Sequence, residues 1–228
     1  MSANKPVLII VAGPNGSGKT SITEKLLKHH WFDNCEYINP DAIAEKKFGG
    51  WNDYESIIKA AEEADRLRDL YLLERKNFVF ETVFSHQSKI DFIQKAKEAG
   101  YFVRLLFVST NHPRINAARI VDRVLQGGHD VPIKKIISRY ANSINNGITA
   151  SAIVDRAYFY DNSFDNLDAT LLAKLKDGVV NKKYLDDYSQ FTWFSKVLEA
   201  IENKIPNPPM SNADEKLNKI ATSHRKKP

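Results

Sequence analysis

One octapeptide restricts the fold more than any other part of the chain. Gly13-Pro14-Asn15-Gly16-Ser17-Gly18-Lys19-Thr20 fits G-x-x-x-x-G-K-[ST] at every fixed position. Such a loop works only between a strand and a helix, and both flank it. Leu8 to Ala12 form an apolar run suited to a buried strand, and Ser21 to His30 carry Ile22, Leu26 and Leu27 on one helical face. The glycines let the backbone turn its N–H groups inward, making a nest for phosphates that the helix N-terminus also favours. In that setting Lys19 reaches the β- and γ-phosphates of ATP, and Thr20 places its hydroxyl on Mg²⁺. A glycine turn without a ligand is the blander alternative, but it does not explain the lysine and threonine that close the motif.

The rest of the chain repeats the strand–helix alternation. Glu36 to Asn39 predict a second strand, which Pro40 stops before a helix beginning at Asp41. Ligands of open parallel sheets collect beyond the carboxyl ends of the strands, so Asp41 faces the phosphate side. It is there either as a proton acceptor or as a cap for the helix. A helical pattern over 53–76 follows, with Tyr54, Ile57, Ile58, Ala61, Ala64, Leu67, Leu70 and Tyr71 recurring at three- and four-residue intervals. It either shapes an acceptor site or simply covers the sheet. Asn77 to Thr82 predict a third strand that ends in an acid and a hydroxyl. Glu81 there binds acceptor hydroxyls or supports Mg²⁺ through water, while Thr82, Ser85 and Ser88 offer hydrogen bonds or cap a turn.

Tyr101 to Val108 predict a fourth strand, followed by a helix bearing Arg114, Arg119 and Arg123. A break at Gly127-Gly128-His129-Asp130-Val131-Pro132 precedes a helix with Lys134, Lys135 and Arg139. Arginines on both sides of a glycine break suit a lid that spans phosphate oxygens, although a solvated basic face has the same pattern. Asp155 to Tyr160 predict a fifth strand ending in Asp161-Asn162-Ser163, which either defines the adenine edge or turns the chain. Leu167 to Leu175 and Val179 to Tyr184 predict an added hairpin, and Phe191 to Ile201 a terminal helix. Residues 1–204 are thus expected to form one domain. From 205 onward, prolines and a polar, basic stretch lack the apolar residues that offset ordering entropy, so a disordered tail is expected.

Composition narrows the chemistry. A formal charge of +5 suits phosphate-rich ligands but is too mild to demand nucleic acid, and no nucleic-acid-reading motif is present. Cys35 is the single cysteine, which rules out an intrachain disulfide, and nothing near it has metal-ligand spacing. The apolar run before the loop is too short to span a membrane or serve as a leader core, so a cytoplasmic protein without a membrane role is expected.

In order along the chain, the octapeptide, Asn39-Pro40-Asp41, Phe80-Glu81-Thr82, Arg119 and Arg123, Gly-Gly-His-Asp-Val-Pro at 127–132, Arg139-Tyr140 and Asp161-Asn162-Ser163 together resemble the zeta-toxin-like P-loop kinases. The resemblance spans roughly residues 6 to 165. It implies an α/β P-loop NTPase fold with a central parallel sheet ordered 2-3-1-4-5, helices on both faces, and the C-terminal hairpin and helix as additions. It implies an ATP- and Mg²⁺-dependent kinase acting on a hydroxyl of a sugar nucleotide such as UDP-N-acetylglucosamine, held inactive by a small antitoxin. By the same resemblance Asp41 is the catalytic base, Lys19 the phosphate lysine, and Glu81 an acceptor-site acid. Arg123 and Arg139 become the charge-stabilising pair, with Thr82, Ser85 and Arg119 on the substrate side. A kinase of another metabolite is one alternative; an ATP-binding regulatory module that contacts nucleic acid is another.

Overall fold

Short apolar runs alternating with amphipathic helices give a layered α/β architecture in the computed structural model of this chain, which describes residues 5–50, 54–126 and 131–204. Strand β1 (Val7–Ala12) is central, and its residues from Leu8 to Ala12 have no exposed surface. A strand buried on both faces must be apolar throughout rather than alternating, and β1 is. It pairs in parallel with β3 (Phe78–Thr82) on one side and β4 (Phe102–Ser109) on the other. Strand β2 (Glu36–Ile38) adds beyond β3, and β5 (Arg156–Asp161) beyond β4. The expected 2-3-1-4-5 order is present, and the hairpin continues it. Strand β6 (Thr170–Lys176) lies antiparallel on β5, and β7 (Val179–Lys183) on β6, making one seven-stranded sheet.

Two unequal cores cover the faces of the sheet. Leu8, Ile10 and Ala12 point into the larger one, with Ala64 and Leu72 of α3 (Tyr54–Leu73), Ile90 and Ile93 of α4 (Ser88–Glu98), Ala150 of α6 (Ile133–Ser151) and Phe194 of α7 (Thr192–Lys204). Ile9 and Val11 point the other way, toward Ile22 of α1 (Lys19–Leu26), Phe32 and Tyr158. Helix α1 is shorter than the expected 21–30 span. It ends at Leu26, and a 3-10 turn over His30–Phe32 replaces its last turn, with His29 Nδ1 accepting from the Trp31 N–H and the Trp31 ring packing on Tyr158. The hairpin likewise starts later than Leu167, which is exposed.

Helix α3 is rotated from the expected face. Its buried residues are Ser56, Ala60, Ala64, Arg68 and Leu72, whereas Tyr54 and Ile58 are exposed. Helices α2 (Pro40–Phe48) and α5 (Pro113–Leu125) complete the described elements. Ile120, Val131 and Ile136 form a separate small cluster that joins α5 to α6 apart from the sheet cores. Residues 127–130 of the glycine break, residues 51–53 at the start of the 53–76 helical pattern, and the tail from 205 lie outside the described residues. No described helix is long and apolar enough to cross a membrane.

Helix α6 approaches the sheet closely because Gly147 has no side chain. A Cβ there would stand 2.7 Å from Cε2 of Phe107, a ring fixed in the larger core. Gly147→Val is therefore expected to lower stability by about 1–3 kcal/mol through overpacking, read from the urea unfolding midpoint at unchanged slope. A midpoint equal to wild type would show that α6 has room to move.

Candidate active site

The parallel register sets the carboxyl ends of five strands in one row. Val11 stands opposite Glu81, Ala12 opposite Thr82 and Ser109 opposite Asp161, while Asn39 follows directly on β2. The phosphate loop emerges from the middle of this row. Its glycines have little room: a Cβ on Gly13 would lie 2.0 Å from the Val108 carbonyl oxygen, one on Gly16 2.5 Å from that of Asn116, and one on Gly18 2.1 Å from Asn162 Nδ2. Gly16 and Gly18 also hold left-handed φ values of 73° and 85°, which side chains disfavour.

Buried polar side chains hold the loop in shape. Asn116 Nδ2 donates to the Asn15 carbonyl at 2.6 Å, and Asn162 Nδ2 to the Ser17 carbonyl at 2.9 Å. Thr110 Oγ1 in turn donates to Asn116 Oδ1, and Tyr140 donates to the Thr110 carbonyl at 2.5 Å. Asp161 and Ser163 turn the chain: the buried Asp161 carboxylate accepts from the Ser163 N–H and hydroxyl and from Trp193 Nε1. Only Asn162 of that triplet reaches the loop.

Lys19 Nζ donates to the Pro14 carbonyl at 2.9 Å, closing the loop on itself. Burial pushes its ammonium down to about 8, with Arg123 adding to the effect and Glu81 and Asp41 opposing it. The Ser17 hydroxyl is fully buried without a hydrogen-bond partner among the described residues. An inward-facing lysine, an orphaned hydroxyl and side-chain-free glycines fit a polyphosphate. Thr20 Oγ1 donates to Glu81 Oε2 at 3.0 Å, so a hydroxyl and a carboxylate sit together as hard oxygen donors, which fits Mg²⁺. Among the described residues no group of three or more His, Cys, Asp and Glu side chains is placed to hold a metal ion by itself.

Glu81 is more constrained than its position in the sequence suggests. Its Oε1 accepts from the Tyr37 hydroxyl at 2.6 Å, and Asn39 Nδ2 donates to that same hydroxyl at 3.2 Å. Burial and the bond to Glu81 push the Tyr37 phenol far above its usual range, keeping it a donor. The Asn39 side chain also accepts from the Asp41 N–H at 2.9 Å and is the cap of α2, with Pro40 in its first turn. Asp41 is therefore not the cap, and its exposed side chain borders the cleft.

That cleft, about 690 Å³, runs from the phosphate loop past Asp41, Glu81, Thr82 and Ser85 and is also bordered by Arg119, Arg123 and Arg139. Most of the sequence-predicted site residues thus meet in one place; Gly13, Pro14, Ser17 and Ser88 do not border it. Their attachments differ. Arg119 is bound to Asp165 Oδ1 through Nε and Nη2 and to the Asn162 carbonyl through Nη1, which ties α5 to the segment after β5. Arg139 Nη1 reaches Asn15 Oδ1 at 3.4 Å. Thr82 Oγ1 accepts from the Phe84 N–H, and Phe84 is buried at φ 63°, a strained value for a bulky residue. Ser143 donates to the Val83 carbonyl and Asn146 to that of Phe84, so α6 holds this turn against the cleft.

Residues missed by sequence reasoning are Tyr37 and Asn116, and a group that also lines the cleft: Asp65, Arg68, His86 and Lys89. Asn162 was expected at the adenine edge or in a turn, and it instead holds the Ser17 carbonyl. Arg68 had a visible signal, a charge interrupting the buried series Ala60, Ala64, Arg68, Leu72. Asn116 had none, because a lone Asn looks the same whether it caps, turns or supports.

Comparison with known proteins follows the same outline. The zeta toxin family profile matches residues 1–164. An uncharacterised protein of Haemophilus influenzae is 32% identical over 133 residues, covering 58% of this chain and 91% of its own. Among solved structures, AvrRxo1-ORF1 in complex with ORF2 and ATP superposes with TM-score 0.62 at 17% identity, covering 91% of this chain and 67% of that one. A structure of the PezAT chromosomal toxin–antitoxin system of Streptococcus pneumoniae gives 0.54 at 16% identity, covering 89% and 88%. At these identities the two structures speak for the fold.

Two measurements test this geometry. Asn39→Ala should cost about 1 kcal/mol in chemical unfolding by removing the cap, while Asp41→Asn should leave the midpoint near wild type. The reverse ranking would return the cap to Asp41. Because Lys19 titrates near 8 without ligand and a polyphosphate favours its charged form, ATP binding should take up a proton above that pH, and affinity should fall as pH rises through it. Calorimetry in buffers of different ionisation enthalpy measures the uptake, which Lys19→Met should abolish.

Proposed function

The chain belongs to the zeta toxin family, and from that footing we propose that it is an ATP- and Mg²⁺-dependent kinase that transfers the γ-phosphate to a hydroxyl of a small molecule. A sugar nucleotide such as UDP-N-acetylglucosamine is the acceptor that the family resemblance favours. What carries the reading is a shared cleft in which Lys19 and Thr20 stand across from a carboxylate, Asp41, relieved of capping by Asn39. Phosphoryl transfer asks the protein chiefly for positioning and charge stabilisation, and each required group type is there.

In this mechanism the loop N–H groups and Lys19 hold the β- and γ-phosphates. Thr20, oriented by Glu81, and Glu81 itself are the oxygen donors that would hold Mg²⁺, which would supply positive charge to offset that of the phosphates. Glu81 is thereby assigned to orienting Thr20 rather than to the acceptor alone. Asp41 accepts the proton of the attacking hydroxyl. Arg123 and Arg139 span the equatorial oxygens as charge builds on them, and Arg119 positions α5 through Asp165. Thr82 and Ser85 border the acceptor side. A small antitoxin protein is proposed as a partner, supported by the toxin–antitoxin system among the structural relatives.

Asp41→Asn separates the proposed base from every structural role. The variant should bind ATP·Mg²⁺ normally and melt near the wild-type temperature, yet lose roughly a hundredfold or more in turnover. The assay offers UDP-N-acetylglucosamine first and a metabolite extract second, and reads phosphorylated product by mass. Wild-type turnover by the Asn variant would remove Asp41 from the mechanism. A wild-type enzyme that ignores the sugar nucleotide but modifies a component of the extract would sink that acceptor and keep the kinase.

A further inference from the structure

One hydrogen-bond chain that ends at the phosphate loop has a fixed direction. The parallel register sets Tyr37 of β2 opposite Val79 of β3, so Glu81, two residues on, shares its face of the sheet and lies within reach of a phenol. The chain starts at a backbone group that can only donate. The Asp41 N–H gives its proton to Asn39 Oδ1, which leaves Nδ2 to face the Tyr37 hydroxyl at 3.2 Å. An amide nitrogen donates and does not accept, so the phenol oxygen takes that bond and its single proton goes to Glu81 Oε1 at 2.6 Å. The other carboxylate oxygen receives the proton of Thr20 at 3.0 Å, and the lone pairs of the threonine stay free. Burial and the bond to Glu81 push the titration of the phenol far above its usual range, so the direction does not reverse near neutral pH.

We propose that Tyr37 is the positioning residue of the Mg²⁺ donors: by holding one oxygen of Glu81 it fixes the other on the Thr20 proton, and it thereby sets the affinity for the ion without touching nucleotide. Tyr37 does not border the cleft, whereas Asn39, Glu81 and Thr20 do, so it acts through Glu81. The terminal torsion of a glutamate is broad, and rotamer preference alone does not choose which way its oxygens face. A phenol at 2.6 Å, itself anchored by Asn39, does choose. The inference rests on the kinase reading of the same cleft and adds to it a residue that no phosphate-loop motif specifies. Asn39 links the two ends of the site, since the amide that directs this chain also caps the helix carrying Asp41.

The test reads binding rather than turnover. Affinity for a non-hydrolysable ATP analogue is measured by calorimetry in EDTA and again in saturating Mg²⁺, and the ratio of the two is the gain that the ion brings. In Tyr37→Phe the EDTA affinity should stay near wild type while the gain falls roughly tenfold or more, as when the outer partner of a metal ligand is lost. Asn39→Ser keeps a capping oxygen but has no amide to donate, so it should lose part of the gain with the helix intact. In a Glu81→Gln background, where the relayed contact is already gone, Tyr37→Phe should cost nothing further. An unchanged gain in either single variant, an equal loss of affinity with and without Mg²⁺, or additive losses in the double variant would each overturn the assignment and leave the kinase reading in place. A wild type that gains nothing from Mg²⁺ would take both down.

Discussion

The shape of the phosphate loop depends on the absence of three side chains. Gly13, Gly16 and Gly18 stand where a Cβ would run into Val108, Asn116 and Asn162 at 2.0 to 2.5 Å. The ends of β4 and β5 and the first turns of α5 can therefore press directly on the loop, and their amides bond its carbonyls. The neighbouring residues are thereby set as well: α5 carries Arg119 and Arg123 to the cleft, and Tyr140 of α6 closes the same network through Thr110.

The electrostatics of the cleft follow from this crowding. Lys19, Arg68, Lys89, Arg123 and Arg139 border it together with Asp41 and Glu81. Burial lowers Lys19 and Lys89 to about 8, so the cleft holds cations less solvated than they would be in water. A site preorganised in this way has little reorganisation left to do when anions arrive, which is what transfer of a charged group requires. The Tyr37–Glu81–Thr20 chain adds direction: a phenol that stays protonated fixes one carboxylate oxygen and leaves the other to orient the threonine.

Much of this was legible in the sequence, and the rest was hidden for identifiable reasons. The octapeptide and five apolar runs specify the parallel sheet, because a strand buried on both sides has to be continuously apolar, and β1 is throughout, as are Phe78 to Phe80 of β3 and Leu105 to Val108 of β4. The hairpin was visible as strands, but its merger into the main sheet was not, since that depends on the free edge of β5 rather than on local pattern. Asp41 was ambiguous between base and cap because Asn39 and Asp41 are both good capping residues; only the φ of −125° at Asn39 and its bond to the Asp41 N–H separate them. Arg68 and Lys89 were missed because Arg68 lies on a stripe that the apolar count placed elsewhere on α3, and the turn before Lys89 contains the strained Phe84, which α6 holds from about sixty residues away.

The central claim is that one cleft hands a phosphoryl group directly from the loop to a small molecule. Incubating the protein with γ-labelled ATP, Mg²⁺ and a protein-free metabolite extract, and following the label, measures this. The account predicts label in a small-molecule phosphate ester, with none formed by Lys19→Met. Label released only as inorganic phosphate, or retained on the protein itself, would contradict it.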